Sequence, residues 1–331
     1  MLRRLAALLV LGVVPASAET SDISAILDGH VMPGYQTLAA QAEGLASAAQ
    51  EDCRPDAPGL RTAYHAAFDA WVGVSHLRFG PSETEDRAFA LAFWPDSRGA
   101  TPRAVRDLIV QSDPVADTLA GFQTVSIAAR GFYALEFMLF DPAFVQAGEG
   151  AYRCGLVQVM SADIAANAQA ILTGWEGGYA DLMRQAGANE TFRDRNEAIR
   201  QIFTALSTGL EFTAQTRLGR PMGTFERPRP MRAEARRSGR SLRHVMLSLL
   251  ATRDLTALLS DGDPDLDAAF ARALDLAERM DDPVFAGVST PQGRFEVEAL
   301  QSAIDDIRRK VAQDLGPRLG IAAGFNALDG D

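Results

Sequence analysis

The chain has 331 residues, 47% of them hydrophobic and 23% charged, a globular composition that excludes disordered and collagen-like readings. Its formal charge of −11 has the wrong sign for non-specific binding of nucleic acid or an anionic membrane surface. Aromatic residues make up only 8%, and the Ala- and Leu-rich remainder favours helix over strand.

In chain order, Arg3 and Arg4 precede a ten-residue apolar run from Leu5 to Val14, and Ala16-Ser17-Ala18 follows. A basic start, a short apolar stretch and small residues predict a secretory signal peptide over residues 1–18. The first cysteine is Cys53, so no lipid anchor is expected at the cut. The expected product is exported, periplasmic in a Gram-negative cell, and not a lipoprotein. Removing Arg3 and Arg4 from 32 basic residues against 43 acidic ones takes the net charge from −11 to −13. No later stretch reaches the roughly 20 apolar residues of a membrane helix, so no membrane insertion is expected. Cys53 and Cys154 are the only cysteines, and in an oxidising compartment a disulfide is their default state. Two buried free thiols are the alternative.

Beyond the leader, apolar residues recur at three- and four-residue steps. Pro33 opens a helix through Tyr35, Leu38, Ala42 and Leu45. A second helix, opened near Pro58, carries Leu60, Tyr64, Phe68, Trp71 and Val74 as far as Arg78 and closes at Gly80-Pro81. Shorter helices are predicted over 85–93 and 102–110. The most apolar stretch runs from Gly131 to Phe140 and stops at Asp141-Pro142. Long helices are expected over 152–186, 193–218, 233–259, 266–280 and 295–315. No segment alternates in the manner of a strand. The predicted fold class is all-α, with two packed helical bundles over residues 19–188 and 189–331, divided at the Gly187-Ala188-Asn189 turn. Residues Arg217 to Arg243 break the composition: nine Arg against two Glu give +7 and leave −20 on the rest of the mature chain. Pro221, Pro228 and Pro230 make the first part of that segment a loop.

Glu136 is the one charge in ten otherwise uncharged residues, and a helix apolar all round is buried. A buried carboxylate needs a partner or a proton. An ion pair with Arg232, Arg236, Arg237 or Arg240 is the structural expectation, and a ligand or catalytic role is the functional one. Tyr133 lies three positions earlier and shares its helix face. His65, Asp69 and His76 form a polar stripe on the second helix. The first two are spaced to hold one ion, although a solvated surface stripe accounts for them more simply. His76 sits beside the turn that leads to Glu83. The arginine-rich segment reads as an anion site at a helix opening near Ala233, or, more simply, as neutralisation of acidic helices. Phosphate loop, dinucleotide fingerprint, serine-nucleophile elbow and His-Glu-x-x-His zinc motif are all absent from the sequence.

At Gly131-Phe132-Tyr133-Ala134-Leu135-Glu136 the chain resembles the imelysin-like proteins, whose signature is Gly-x-His-x-x-Glu followed by an apolar run. Val31 to Tyr35, Ala70-Trp71, Phe79-Gly80-Pro81, Phe93-Trp94-Pro95, Arg153-Cys154, Trp175, and Glu234 with Arg237 and Ser238 extend the resemblance over most of residues 21 to 310. It implies a double helical bundle with a cleft between the bundles, and a role in iron uptake or regulation as a binding or accessory component. The family's name implies the alternative of a metallopeptidase, and a metal-free module docking an exported redox or metal-transport partner is the third reading. Tyr133 replaces the signature His. Phenolate suits hard Fe³⁺ better than the borderline cations that imidazole prefers, and loss of the metal is the other outcome. The expected metal site combines Tyr133 and Glu136 with His76 and Glu83. Arg237, Ser238 and Glu234 are expected to form its anion-binding edge.

Overall fold

The computed structural model describes residues 22–321, which form helices joined by turns, with no strand among the described residues. The expected signal peptide lies outside them. Helix α1 (Met32–Glu51) has Pro33 in its first turn and buries Tyr35, Leu38, Ala42 and Leu45 along one face. Helix α2 (Pro58–Val74) buries Leu60, Tyr64, Phe68 and Trp71. It ends earlier than the periodicity suggests, because a turn at Ser75 and His76 precedes Arg78. Then come α3 (Ala100–Gln111), α4 (Gly131–Phe140) and α5 (Gly150–Gly174). Their chain-order successors are α6 (Arg195–Glu211), α7 (Ser241–Ser260), α8 (Pro264–Glu278) and α9 (Pro291–Lys310). Side chains of Asp194, Asp263 and Thr290 cap the last group's α6, α8 and α9, satisfying amides that a helix start leaves open.

The helices form two packed groups. In the first, α1 packs on α2 and α5, and α4 packs on α5. In the second, α6 packs on α7 and α9, and α8 lies against both α7 and α9. Helix α7 also packs on α2 and joins the groups. The buried apolar residues form one connected core from Ile23 to Ile321. Gly131 shows how closely the site helix is seated. Its φ is +74°, and a Cβ there would lie 2.2 Å from the carbonyl oxygen of Leu91.

One expected helix start is wrong. The periodicity predicts helix from Ala233, whereas α7 begins at Ser241. Residues 233–240 instead form turns, with left-handed backbone at Ala235 (φ 44°) and Gly239 (φ 73°). Their polar groups bond across to the first helical group rather than to a helix of their own. Cys53 and Cys154 form a disulfide, with Cα atoms 5.2 Å apart, joining the chain after α1 to the first turns of α5. No described helix is long and apolar enough to cross a membrane.

Candidate functional site

The site assembles around α4. Because that helix is apolar on every side, Tyr133 and Glu136 are carried into the interior, at 7% and 2% exposure. The loop before α7 meets them from the opposite group. Glu234, 2% exposed, accepts a short hydrogen bond from the Tyr133 hydroxyl on Oε1. Its Oε2 accepts from Arg217 Nε at 2.7 Å. Arg217 belongs to a π-helical turn, Phe212–Leu218, in which the widened helix continues α6. Such turns are frequent at functional sites. Its Nη1 donates to Ser248 Oγ at 2.9 Å, while Nη2 reaches only Ser75 Oγ, at 3.4 Å. His244, fully buried on α7, places Nδ1 3.5 Å from Glu234 Oε2.

These groups fix one another's protonation. Burial pushes Tyr133 well above the usual phenol range, and the Glu234 charge adds to it, so the hydroxyl stays protonated and donates. Burial would also raise Glu234, but Arg217 foremost, then His244 and Tyr133, hold it down at about 2. Glu234 is therefore an ionised carboxylate with both oxygens engaged.

Glu136 behaves differently from expectation. Among the described residues no arginine pairs with it: its Oε1 accepts from the Ser238 amide at 2.9 Å and the Ser238 hydroxyl at 2.7 Å. Two of the arginines expected beside it are occupied elsewhere, and Arg232 lines the same cavity as Glu136 without pairing with it. Arg237 binds Asp141 at 2.6 Å and Arg240 binds Asp69. Desolvation raises the Glu136 pKa against the pull of Ser238. His65 and Asp69 do not hold an ion together either. Asp69 lies under Arg240 and Arg243, and neither residue is fully exposed, so the solvated stripe is corrected to a half-buried contact between the helical groups.

A cavity of about 360 Å³ opens beside Tyr133, Glu234 and Arg217. Trp71, Trp94 and Phe212 supply aromatic walls, and Ser75, His76 and Thr208 supply polar ones. Gly209 lets α6 approach the wall closely: a Cβ there would stand 2.5 Å from His76 Cβ. His76 faces His30, with Nε2 atoms 2.9 Å apart, so one ring donates to the other. Burial lowers both pKa values, His30 to about 4.

The four expected metal ligands are thus not brought together. Tyr133 and His76 line this cavity, Glu136 lines a neighbouring one, and Glu83 is exposed and bound to Arg78 at 2.6 Å. Of the expected anion edge, Glu234 sits at the centre, while Arg237 and Ser238 are bound to Asp141 and Glu136. Among the described residues, no three His, Cys, Asp or Glu side chains are placed to hold one ion. A bare cation would have to displace Arg217 from Glu234, so the donor set fits it poorly.

Arg217, His244 and His30 were missed from the sequence. Arg217 had a readable signal. It follows Leu206, Leu210 and Ala214 on the buried stripe, a charge where the pattern asks for an apolar residue. His30 and His244 are far from their partners in sequence, and no local pattern announces them.

The family model described as Peptidase_M75: Imelysin matches residues 31–311. The chain is 25% identical over 329 residues to Iron-regulated protein A of Synechococcus elongatus, covering 91% of this chain and 88% of that protein. A crystal structure of an imelysin-like protein from Psychrobacter arcticum 273-4 superposes with a TM-score of 0.77 at 22% identity, covering 95% of this chain and all of the other.

Proposed function

The chain belongs to the imelysin family, and on that footing we propose that it is an exported binding component of iron acquisition or homeostasis. The observation that carries this reading is the cavity at Tyr133, where Glu234 and Arg217 already neutralise one another. The Synechococcus relative's name, Iron-regulated protein A, supports the link to iron. The leader-like first residues and the disulfide support export.

Iron enters this cavity as cargo already wrapped in oxygen donors. Tyr133 is protonated, Glu234 is held by Arg217, and His76 is spent on His30. What remains is a hydrogen-bonding wall with two guanidiniums, Arg217, whose Nη2 reaches Ser75, and Arg78, paired with Glu83, between aromatic faces. Such a wall suits an anionic chelate rather than a naked ion. A hydrolytic zinc centre would require three protein ligands around an open position, and no such group of His, Cys, Asp or Glu exists among the described residues.

Calorimetry on the oxidised protein with ferric citrate, ferric nitrilotriacetate and Zn²⁺ tests the reading. A ferric complex should bind, bare Zn²⁺ should not, and Tyr133→Phe should weaken the complex several-fold. Stoichiometric Zn²⁺ binding with chelator-sensitive cleavage of a peptide library would establish the peptidase instead. Absence of binding by any first-row metal, free or chelated, would leave the metal-free interaction module as the function.

A further inference from the structure

A second cavity, of about 190 Å³, shares Tyr133 and Trp94 with the first and is otherwise lined by different residues. It draws on the arginine-rich segment, and there the arginines divide into two kinds. Arg217, Arg237, Arg240 and Arg243 each have a carboxylate partner. Arg220 and Arg232, both in the wall of this cavity, have no ion pair among the described residues. Arg220 stacks over Trp94 at 5.7 Å, and its Nε is buried without an acceptor. A buried donor left open costs about 1–3 kcal/mol, so its persistence needs an explanation.

The carboxylates in the wall do not supply one. Asp96 accepts from the amides of Arg98, Ala100 and Thr101, closing its own turn. Glu136 accepts from Ser238. Of the three guanidiniums in the wall, Arg237 is paired with Asp141, while Arg220 and Arg232 share the concave site with no carboxylate at ion-pair distance among the described residues. Burial foremost, then the nearby charge of Arg232, lower the Arg220 pKa, and the charge of Asp96 offsets them only in part.

We infer that this cavity is a binding site for a small organic carboxylate, held by Arg220 and Arg232 with its carbon body against Trp94, Phe137 and Met231. A carboxylate fills the open donor and matches the planar guanidinium fork. The apolar part of the wall favours an organic acid over inorganic phosphate, whose outward oxygens would lose hydration against Trp94 and Phe137. The volume equals that of about six water molecules, enough for an acid of a few carbons. The site requires no metal and uses neither Arg217 nor Glu234, so it stands apart from the iron reading.

The experiment is calorimetry with succinate on the full-length mature protein, oxidised, metal-free and at low ionic strength. Tryptophan fluorescence provides a second readout through Trp94. Succinate should bind and perturb the fluorescence, at least tenfold more tightly than inorganic phosphate. Arg220→Met should weaken it at least tenfold, and Arg220→Lys, which keeps the charge but loses the fork, at least threefold. Arg232→Gln should weaken it a few-fold. Arg227→Gln, an exposed arginine of the same segment outside the cavity, should leave it unchanged. No succinate binding, equal loss in Arg227→Gln and Arg220→Met, or phosphate binding as tight as succinate would each overturn the assignment.

Discussion

The two cavities that meet at Tyr133 and Trp94 handle arginine in opposite ways. In the larger one Arg217, 3% exposed, is locked to an ionised carboxylate, a serine hydroxyl and an aromatic face. In the smaller one Arg220 is only half-buried and rests on Trp94 without a counter-ion. Full desolvation makes a charge intolerable without a partner, whereas partial exposure lets it wait for one. The first cavity pairs its buried arginine within the protein, and the second does not.

Glu234→Ala puts the strongest strain on that contrast. It strands Arg217 in the core and should destabilise the protein by about 3–5 kcal/mol, the range for breaking a buried ion pair. Urea melts measure this directly, and the Arg217→Met/Glu234→Gln double variant should recover part of the loss. A fall below 1 kcal/mol for Glu234→Ala would show that water reaches Arg217. Next in size is the histidine pair at the edge of the larger cavity. His30 is lowered from 6.5 to about 4, so the unfolded chain takes up a proton that the folded chain refuses. Stability should therefore fall as pH drops from 6.5 towards 4, by roughly 3 kcal/mol for His30 alone. Melts of His30→Asn should show a flatter profile across that window, and an unchanged slope would refute burial of a neutral His30.

Glu136→Ala should cost less, about 1–3 kcal/mol, because it leaves the neutral donors of Ser238 unsatisfied rather than a buried charge. A loss of 4 kcal/mol or more would restore the ion pair that its sequence position suggested. The smallest effect belongs to Arg220→Met. Without ligand it should leave stability unchanged or raise it by up to about 1 kcal/mol, since no ion pair is lost and the open buried donor is removed. A clear destabilisation would mean that Arg220 is held as firmly by its surroundings as Arg217.

Most of the fold could be read from the sequence because it rests on local periodicity. Pro33, Pro58 and the apolar run from Gly131 to Phe140 each placed a helix from a few neighbouring residues. The start of α7 could not be read this way. Residues 233–240 are compatible with helix, and what stops them is the bonding of Ser238 to Glu136, 102 positions away. The same reason explains the exchange of roles between two carboxylates. Glu136 advertised itself by its apolar surroundings, yet the ion pair belongs to Glu234, which sits among arginines and was expected only at the anion-binding edge. Tyr133 was legible as a site residue, but its partner was expected on its own helix and lies on the opposing loop.

The bond between Cys53 and Cys154 has a further consequence for how the larger cavity is put together. The ring it closes, with its ends 101 positions apart, contains Trp71, Ser75, His76, Trp94 and Tyr133. Phe212, Arg217 and Glu234 lie downstream of it. One wall is thus encircled by a covalent hoop, while the facing wall is held by packing, hydrogen bonds and the Arg217–Glu234 ion pair. Reduction should loosen the hooped wall first, and hydrogen exchange should quicken around Trp71 and Tyr133 before it does around Arg217.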